Sequence, residues 1–215
     1  MARGRFITFE GGEGCGKSTQ IRRLKSSLEE LGIEVVLVRE PGGTWLCEEI
    51  RRLIKDQTQE TPSARSELLL FLAARAQLVD SVIEPHLAAG KWVVSDRFSD
   101  STAAYQGYAR GLPLDLIAAV NGFACAGLKP DATFLLDVSP QVSLERRRRR
   151  EENQSAAADR FEREDAKFHD AVRKGFAELA KSNPDRIVTV DGQGDEEAVA
   201  QRIMEECKRR FFHDS

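Results

Sequence analysis

Phe6-Ile7-Thr8-Phe9-Glu10-Gly11-Gly12-Glu13-Gly14-Cys15-Gly16-Lys17-Ser18-Thr19 begins with a β-prone apolar run, turns through four glycines and ends on a Lys-Ser pair. Residues 11–18 fit G-x-x-x-x-G-K-[ST], and the spacing of Ile21, Leu24, Leu28 and Leu31 beyond them predicts a helix. Strand, glycine-rich loop and helix, in that order, is the setting in which this pattern cradles a polyphosphate. The glycines let the backbone curl so that its N–H groups converge, and the helix N-terminus adds partial positive charge. Gly11, Gly12, Glu13, Gly14, Cys15, Gly16, Lys17, Ser18 and Thr19 are therefore the candidate phosphate-binding residues. Lys17 is expected at the β- and γ-phosphates, and Ser18 as a hydroxyl ligand to Mg²⁺.

Working outward, Ile33 to Val38 reads as a second strand, apolar but for Glu34 and expected to be buried on both faces. Trp92-Val93-Val94, Thr133 to Leu136 and residues 186–190 read as three more. Helical patterns near 44–55, 63–89, 99–107, 114–127, from Pro140, at 162–182 and from about 195 alternate with them. This predicts a single α/β domain over 1–215, a three-layer αβα sandwich with a five-stranded parallel sheet and helices on both faces. Such sheets bind ligands at the carboxyl ends of their strands, which brings forward Glu10, Asp96 and Asp137. Residues 151–159 lose apolar periodicity and include three consecutive alanines, so a lid is expected at about 146–160.

The 215 residues are 41% hydrophobic and 31% charged, with a formal net charge of −3, so no bulk field draws the chain to nucleic acid or a membrane surface. The longest apolar run, Leu68 to Ala74, is far below the roughly 20 residues a bilayer requires. No signal-peptide pattern follows Arg3 and Arg5. Cys15, Cys47, Cys125 and Cys207 lack metal-ligand spacing and suit a reducing compartment, so a cytoplasmic protein is expected. A guanine-nucleotide switch would carry N-K-x-D, which is absent, and Asp191-Gly192-Gln193-Gly194 reads as a turn. A small phosphotransferase fits best.

Phe6 to Gln20, Arg39-Glu40-Pro41-Gly42-Gly43-Thr44, Leu70-Phe71-Leu72-Ala73-Ala74-Arg75, and Asp96-Arg97-Phe98 followed by Tyr105-Gln106-Gly107 together resemble thymidylate kinase. The resemblance implies transfer of a phosphoryl group from ATP, with Mg²⁺, to the 5′-phosphate of dTMP. It implies that Asp96 holds the metal through a water and that Arg97 grips the acceptor phosphate, with Arg39 and Arg51 around it. Phe71 would stack on the thymine and Arg75 would donate to a base carbonyl. Thr102 and Gln106 would read the polar edge of the base, Tyr105 would crowd the ribose 2′ position, and Glu13 would accept from the 3′-OH. The resemblance also implies a homodimer, for which the helices near 44–55 and 63–89 are candidate faces.

Arg146 to Arg150 are flanked by Glu145 and by Glu151-Glu152, which argues for a solvated helix end rather than a nucleic-acid patch. Phosphoryl transfer still calls for cations around the transferred group. Gly14 stands where some members of the family carry a catalytic arginine, which points to the form that places it in the lid. Arg150 is the first candidate, Arg148 and Arg146 follow because they alternate with it, and Arg160 is a further one. Two other readings stay open: a nucleoside monophosphate kinase with a different acceptor, and a non-catalytic P-loop nucleotide sensor.

Overall fold

The computed structural model describes residues 2–55, 60–154 and 160–212, and for 150–154 the backbone alone. Five parallel strands, β1 (Phe6–Glu10), β2 (Val35–Arg39), β3 (Trp92–Asp96), β4 (Ala132–Asp137) and β5 (Ile187–Asp191), lie in the order β2-β3-β1-β4-β5. Central β1 is buried at every position, and β4 at all but its last. At the edges the pattern changes. β2 mixes buried and accessible positions, with Leu37 exposed, so the expectation of a strand buried on both faces is corrected: among the described strands it pairs only with β3. Apolar sequence alone does not distinguish an edge strand from a central one.

Alternate strand residues feed two cores. Ile7, Phe9, Val94, Phe134 and Val190 pack on one face against α1 (Lys17–Glu30) and α9 (Glu196–Phe211) through Ile21, Leu24, Leu28, Val199 and Ile203. Phe6, Val93, Leu135 and Ile187 pack on the other against α2 (Trp45–Lys55), α3 (Ala64–Leu78) and α8 (Ala166–Ser182). This is the expected three-layer sandwich. Leu31, assigned to the apolar stripe of α1, caps the helix and is exposed, because the chain has already begun its turn through Gly32 at φ 79°.

The remaining helices follow the sequence periods. α3 continues through a wider π-type turn (Val79–Ile83) into α4 (Glu84–Ala88). α5 (Ser99–Thr102) opens into a second π-type turn (Ala103–Ala109), and α6 (Leu114–Ala124) follows. That second turn carries Tyr105 and Gln106, and such turns often occur at functional sites. α7 runs from Pro140 to Gln154, so helix continues through four residues that lose apolar periodicity. The rest of the lid expectation, 155–159, lies outside the described residues.

Candidate active site

β1 delivers the chain into the phosphate loop, where Gly11, Gly14 and Gly16 have φ of 131°, 71° and 98°. A Cβ at Gly11 would stand 2.5 Å from the Leu136 carbonyl oxygen, and one at Gly14 2.7 Å from that of Ser143. Glycine is thus required twice over, by conformation and by the close approach of β4 and α7. Gly16 caps α1 with no side-chain hydrogen bond, and the first turn of α1 holds no acidic residue. The helix N-terminus therefore stays open to an anion. Lys17 is buried and donates to the Gly11 and Gly12 carbonyls at 3.1 and 3.0 Å, its ammonium held under the loop.

Where β3 ends, Ser18 Oγ donates to Asp96 Oδ2 at 3.3 Å. These two hard oxygen donors suit Mg²⁺, which prefers a few protein oxygens and keeps its other positions for phosphate oxygens and water. Among the described residues there is no group of three or more side chains able to cage a metal by themselves.

Arg97 follows in a left-handed conformation, φ 74°, which costs a non-glycine residue about 1–2 kcal/mol. That turn aims its guanidinium back over the loop. It donates to Gly11 O at 3.1 Å, Ser101 Oγ at 3.0 Å, Glu13 Oε1 at 2.7 Å and the Tyr105 hydroxyl at 3.1 Å. Burial disfavours an ionised Glu13, yet the charges of Arg97 and Lys17 prevail and hold its carboxyl well below the usual carboxylate range. Burial pushes the Tyr105 phenol well above its ordinary value, so it stays protonated. Glu10, at the end of β1, accepts from Phe98 N, Ser101 N and Ser101 Oγ, fixing the segment that carries Arg97.

One cavity of about 810 Å³ joins these groups to the acceptor residues. Glu13 to Thr19, Arg39, Arg51, Phe71, Arg75, Asp96, Arg97, Thr102, Tyr105 and Gln106 all line it. Arg39 is exposed and paired with Glu48 at 2.8 Å, and Arg51 donates to the Pro41 carbonyl at 2.7 Å. Phe71 is half-buried, with Phe161 at 6.0 Å between ring centroids.

Arg75 differs from the expectation. Only 1% exposed, it spends every N–H inside the protein: on Glu40 in a bidentate pair, on Thr102 Oγ1 at 2.8 Å, on Asn121 Oδ1 at 2.5 Å and on Phe98 O at 3.1 Å. Donation to a base carbonyl would require it to release one of these. Thr102, already accepting from Arg75, keeps its own O–H to donate.

The arginine run divides between faces of α7. Arg146 and Arg149 line the cavity, and Arg146 donates to Cys15 O at 3.3 Å and Gly192 O at 3.0 Å. Arg147 turns to the far side of the loop, against the carbonyl of Glu162, and Arg148 is exposed and lines no part of this cavity. Alternation is a strand rule. On a helix two residues rotate by about 200°, so Arg148 points away from Arg146 while position 150 returns to its face. The Arg150 side chain lies outside the described residues. Arg160 donates to Glu67 Oε2 at 2.5 Å and to Ile54 O at 3.0 Å, away from the phosphate loop.

Sequence reasoning passed over Glu40, Glu67 and Asn121, the buried partners of the acceptor side. One signal was present: Glu67, Phe71 and Arg75 stand four apart and share a face of α3. The turn at Gly192, read as structural, borders the cavity as well.

Comparison with known proteins shows the family of the chain. The profile of the family described as thymidylate kinase matches residues 9–203. A thymidylate kinase of Nostoc punctiforme is 48% identical over 203 residues, 94% of each chain. One of Geobacter sulfurreducens is 47% identical, over 94% of this chain and 95% of its own. The crystal structure of thymidylate kinase from Ehrlichia chaffeensis superposes with a TM-score of 0.77 at 35% identity, covering 95% of this chain and 99% of that one.

Proposed function

The chain belongs to the thymidylate kinase family and phosphorylates dTMP to dTDP, and from that premise we propose that MgATP is the donor and that Arg97 unites the two substrate halves. The observation that carries this is the single guanidinium bonded at once to the phosphate loop, through Gly11 and Glu13, and to Tyr105 on the acceptor side. An oxygen of the acceptor phosphate attacks the γ-phosphorus in line, and the bond to the bridging oxygen of ADP breaks. The loop N–H groups and Lys17 hold the donor phosphates, while Arg97 draws the acceptor phosphate up to them, so positioning and charge neutralisation supply the rate. Mg²⁺, held by Ser18 and through water by Asp96, would neutralise charge on the donor phosphates.

Phe71 provides the stacking face for the base and Thr102 and Gln106 its polar readers, with Tyr105 beside the sugar and Arg39 and Arg51 at the acceptor phosphate. We assign the lid-side cation to the face of α7 that carries Arg146 and Arg149, with Arg150 kept as the candidate that the resemblance implies. Arg146→Ala is expected to lower kcat about 10²-fold, whereas Arg148→Ala keeps it near wild type. Steady-state kinetics of the two variants decides, and equal losses would return the outer face to consideration.

Two further properties follow from which side chains are exposed and which are buried. Trp45, Leu46 and Leu53 of α2, Leu69 of α3 and Leu116 and Phe123 of α6 are exposed apolar side chains, which supports a homodimer through these helices. All four cysteines are free and buried, which suits a reducing cytoplasm. No helix among the described residues is long and apolar enough to cross a membrane.

The test is ADP formation from MgATP with dTMP, dUMP, dCMP, dGMP, AMP and no acceptor. Strong dTMP-dependent turnover over a low background is expected. Preference for another nucleotide would keep the mechanism and overturn the base contacts, and binding without turnover would make the chain a sensor.

A further inference from the structure

Glu67 sits on α3 at 1% exposure, outside every role assigned so far, with three donors closing on it. Its Oε1 accepts from Gln106 Nε2 at 2.8 Å, and its Oε2 from Arg160 Nη2 at 2.5 Å, while Arg110 spans both oxygens at 3.3 Å. Gln106 is equally buried and lines the cavity. Its carbonyl oxygen makes no hydrogen bond among the described residues.

We propose that Glu67 is a positioning residue that sets base specificity by dictating which end of the Gln106 amide faces the bound base. An ionised carboxylate only accepts, so the amide must turn its NH₂ to Glu67 and its carbonyl into the cavity. Arg110 and Arg160 pair with that carboxylate at 3.3 and 2.5 Å. A carbonyl presented there accepts from an N–H at N3, which thymine and uracil offer and cytosine does not. The inference rests on the dTMP-kinase reading and adds to it the reason one amide rotamer is held.

Glu67→Gln tests it sharply. The new side-chain carbonyl is drawn to Arg160 and Arg110, which leaves its NH₂ facing Gln106, and Gln106 must then flip to present NH₂ to the base. The kcat/KM ratio of dTMP to dCMP is expected to fall about tenfold or more, because a donor now meets the N3–H of thymine. The loss for dTMP appears in KM, with kcat held, since the phosphates are not involved. In a Gln106→Ala background the same substitution leaves the ratio unchanged, which a general packing defect would not do.

An unchanged ratio in folded Glu67→Gln protein, checked by far-UV circular dichroism and Tm, would overturn the proposal. So would an equal fall in the Gln106→Ala background. If Glu67→Gln does not fold, Glu67→Asp keeps the charge for both arginines but withdraws the carboxylate from Gln106. It is expected to raise KM for dTMP at constant kcat, and an unchanged KM refutes the assignment. Wild-type turnover of dTMP in the same assay separates failure of this inference from failure of the kinase reading.

Discussion

Arg97→Ala is expected to lower kcat/KM for dTMP by about three orders of magnitude, at the upper end of what one charge-stabilising donor supplies in a transferase site. The loss has two physical sources. The acceptor side loses the positive charge proposed to draw its phosphate up to the loop, and Glu13 loses the partner that offsets its burial, so its carboxyl moves up toward neutrality. Arg97→Lys is expected to recover only part of the rate, because one ammonium cannot serve Gly11 O, Ser101 Oγ, Glu13 and the Tyr105 hydroxyl together. Steady-state kinetics on both variants, with thermal melts to confirm folding, provides the check. An Arg97→Ala enzyme within tenfold of wild type would remove Arg97 from the centre of the mechanism.

The second large effect falls on stability. Arg75→Leu leaves the Glu40 carboxylate buried without its cation and strips Thr102, Asn121 and the Phe98 carbonyl of their donor. Breaking one side of a buried pair costs about 3–5 kcal/mol, which in a domain of this size lowers Tm by about 10 °C. The cost lies mainly in the stranded charge. The double variant Arg75→Leu/Glu40→Leu should therefore recover much of the Tm, while dTMP binding stays weak because Thr102 is no longer held. Calorimetric melts and dTMP titrations of the three proteins test this. If the single substitution leaves Tm within 2–3 °C of wild type, less than about 1 kcal/mol, the Arg75–Glu40 pair does not hold the acceptor side together.

The Arg75 result shows where reading along the chain stops. Spacing placed Phe71 and Arg75 on one helix face, and both do line the cavity. What the guanidinium does there depends on Glu40, Phe98, Thr102 and Asn121, which arrive from elements 23 to 46 residues away. The arginine run turns on its period. Arg146, Arg148 and Arg150 alternate in sequence, but two residues along a helix rotate by about 200°, which turns Arg148 outward from the cavity that Arg146 lines.

The glycines at 11, 14 and 16, the lysine and serine that follow them, the five apolar runs and the helices between them were determined locally, because backbone conformation and hydrophobic period act over a few residues. Strand order was not, and with it went the half-exposed character of β2, which is decided by which strands flank it. Nor was the hub at Glu67, whose donors lie 39, 43 and 93 residues further along the chain. A buried carboxylate takes its partners from whatever the packed layers bring within about 3 Å, and that distance exists only once the chain has folded.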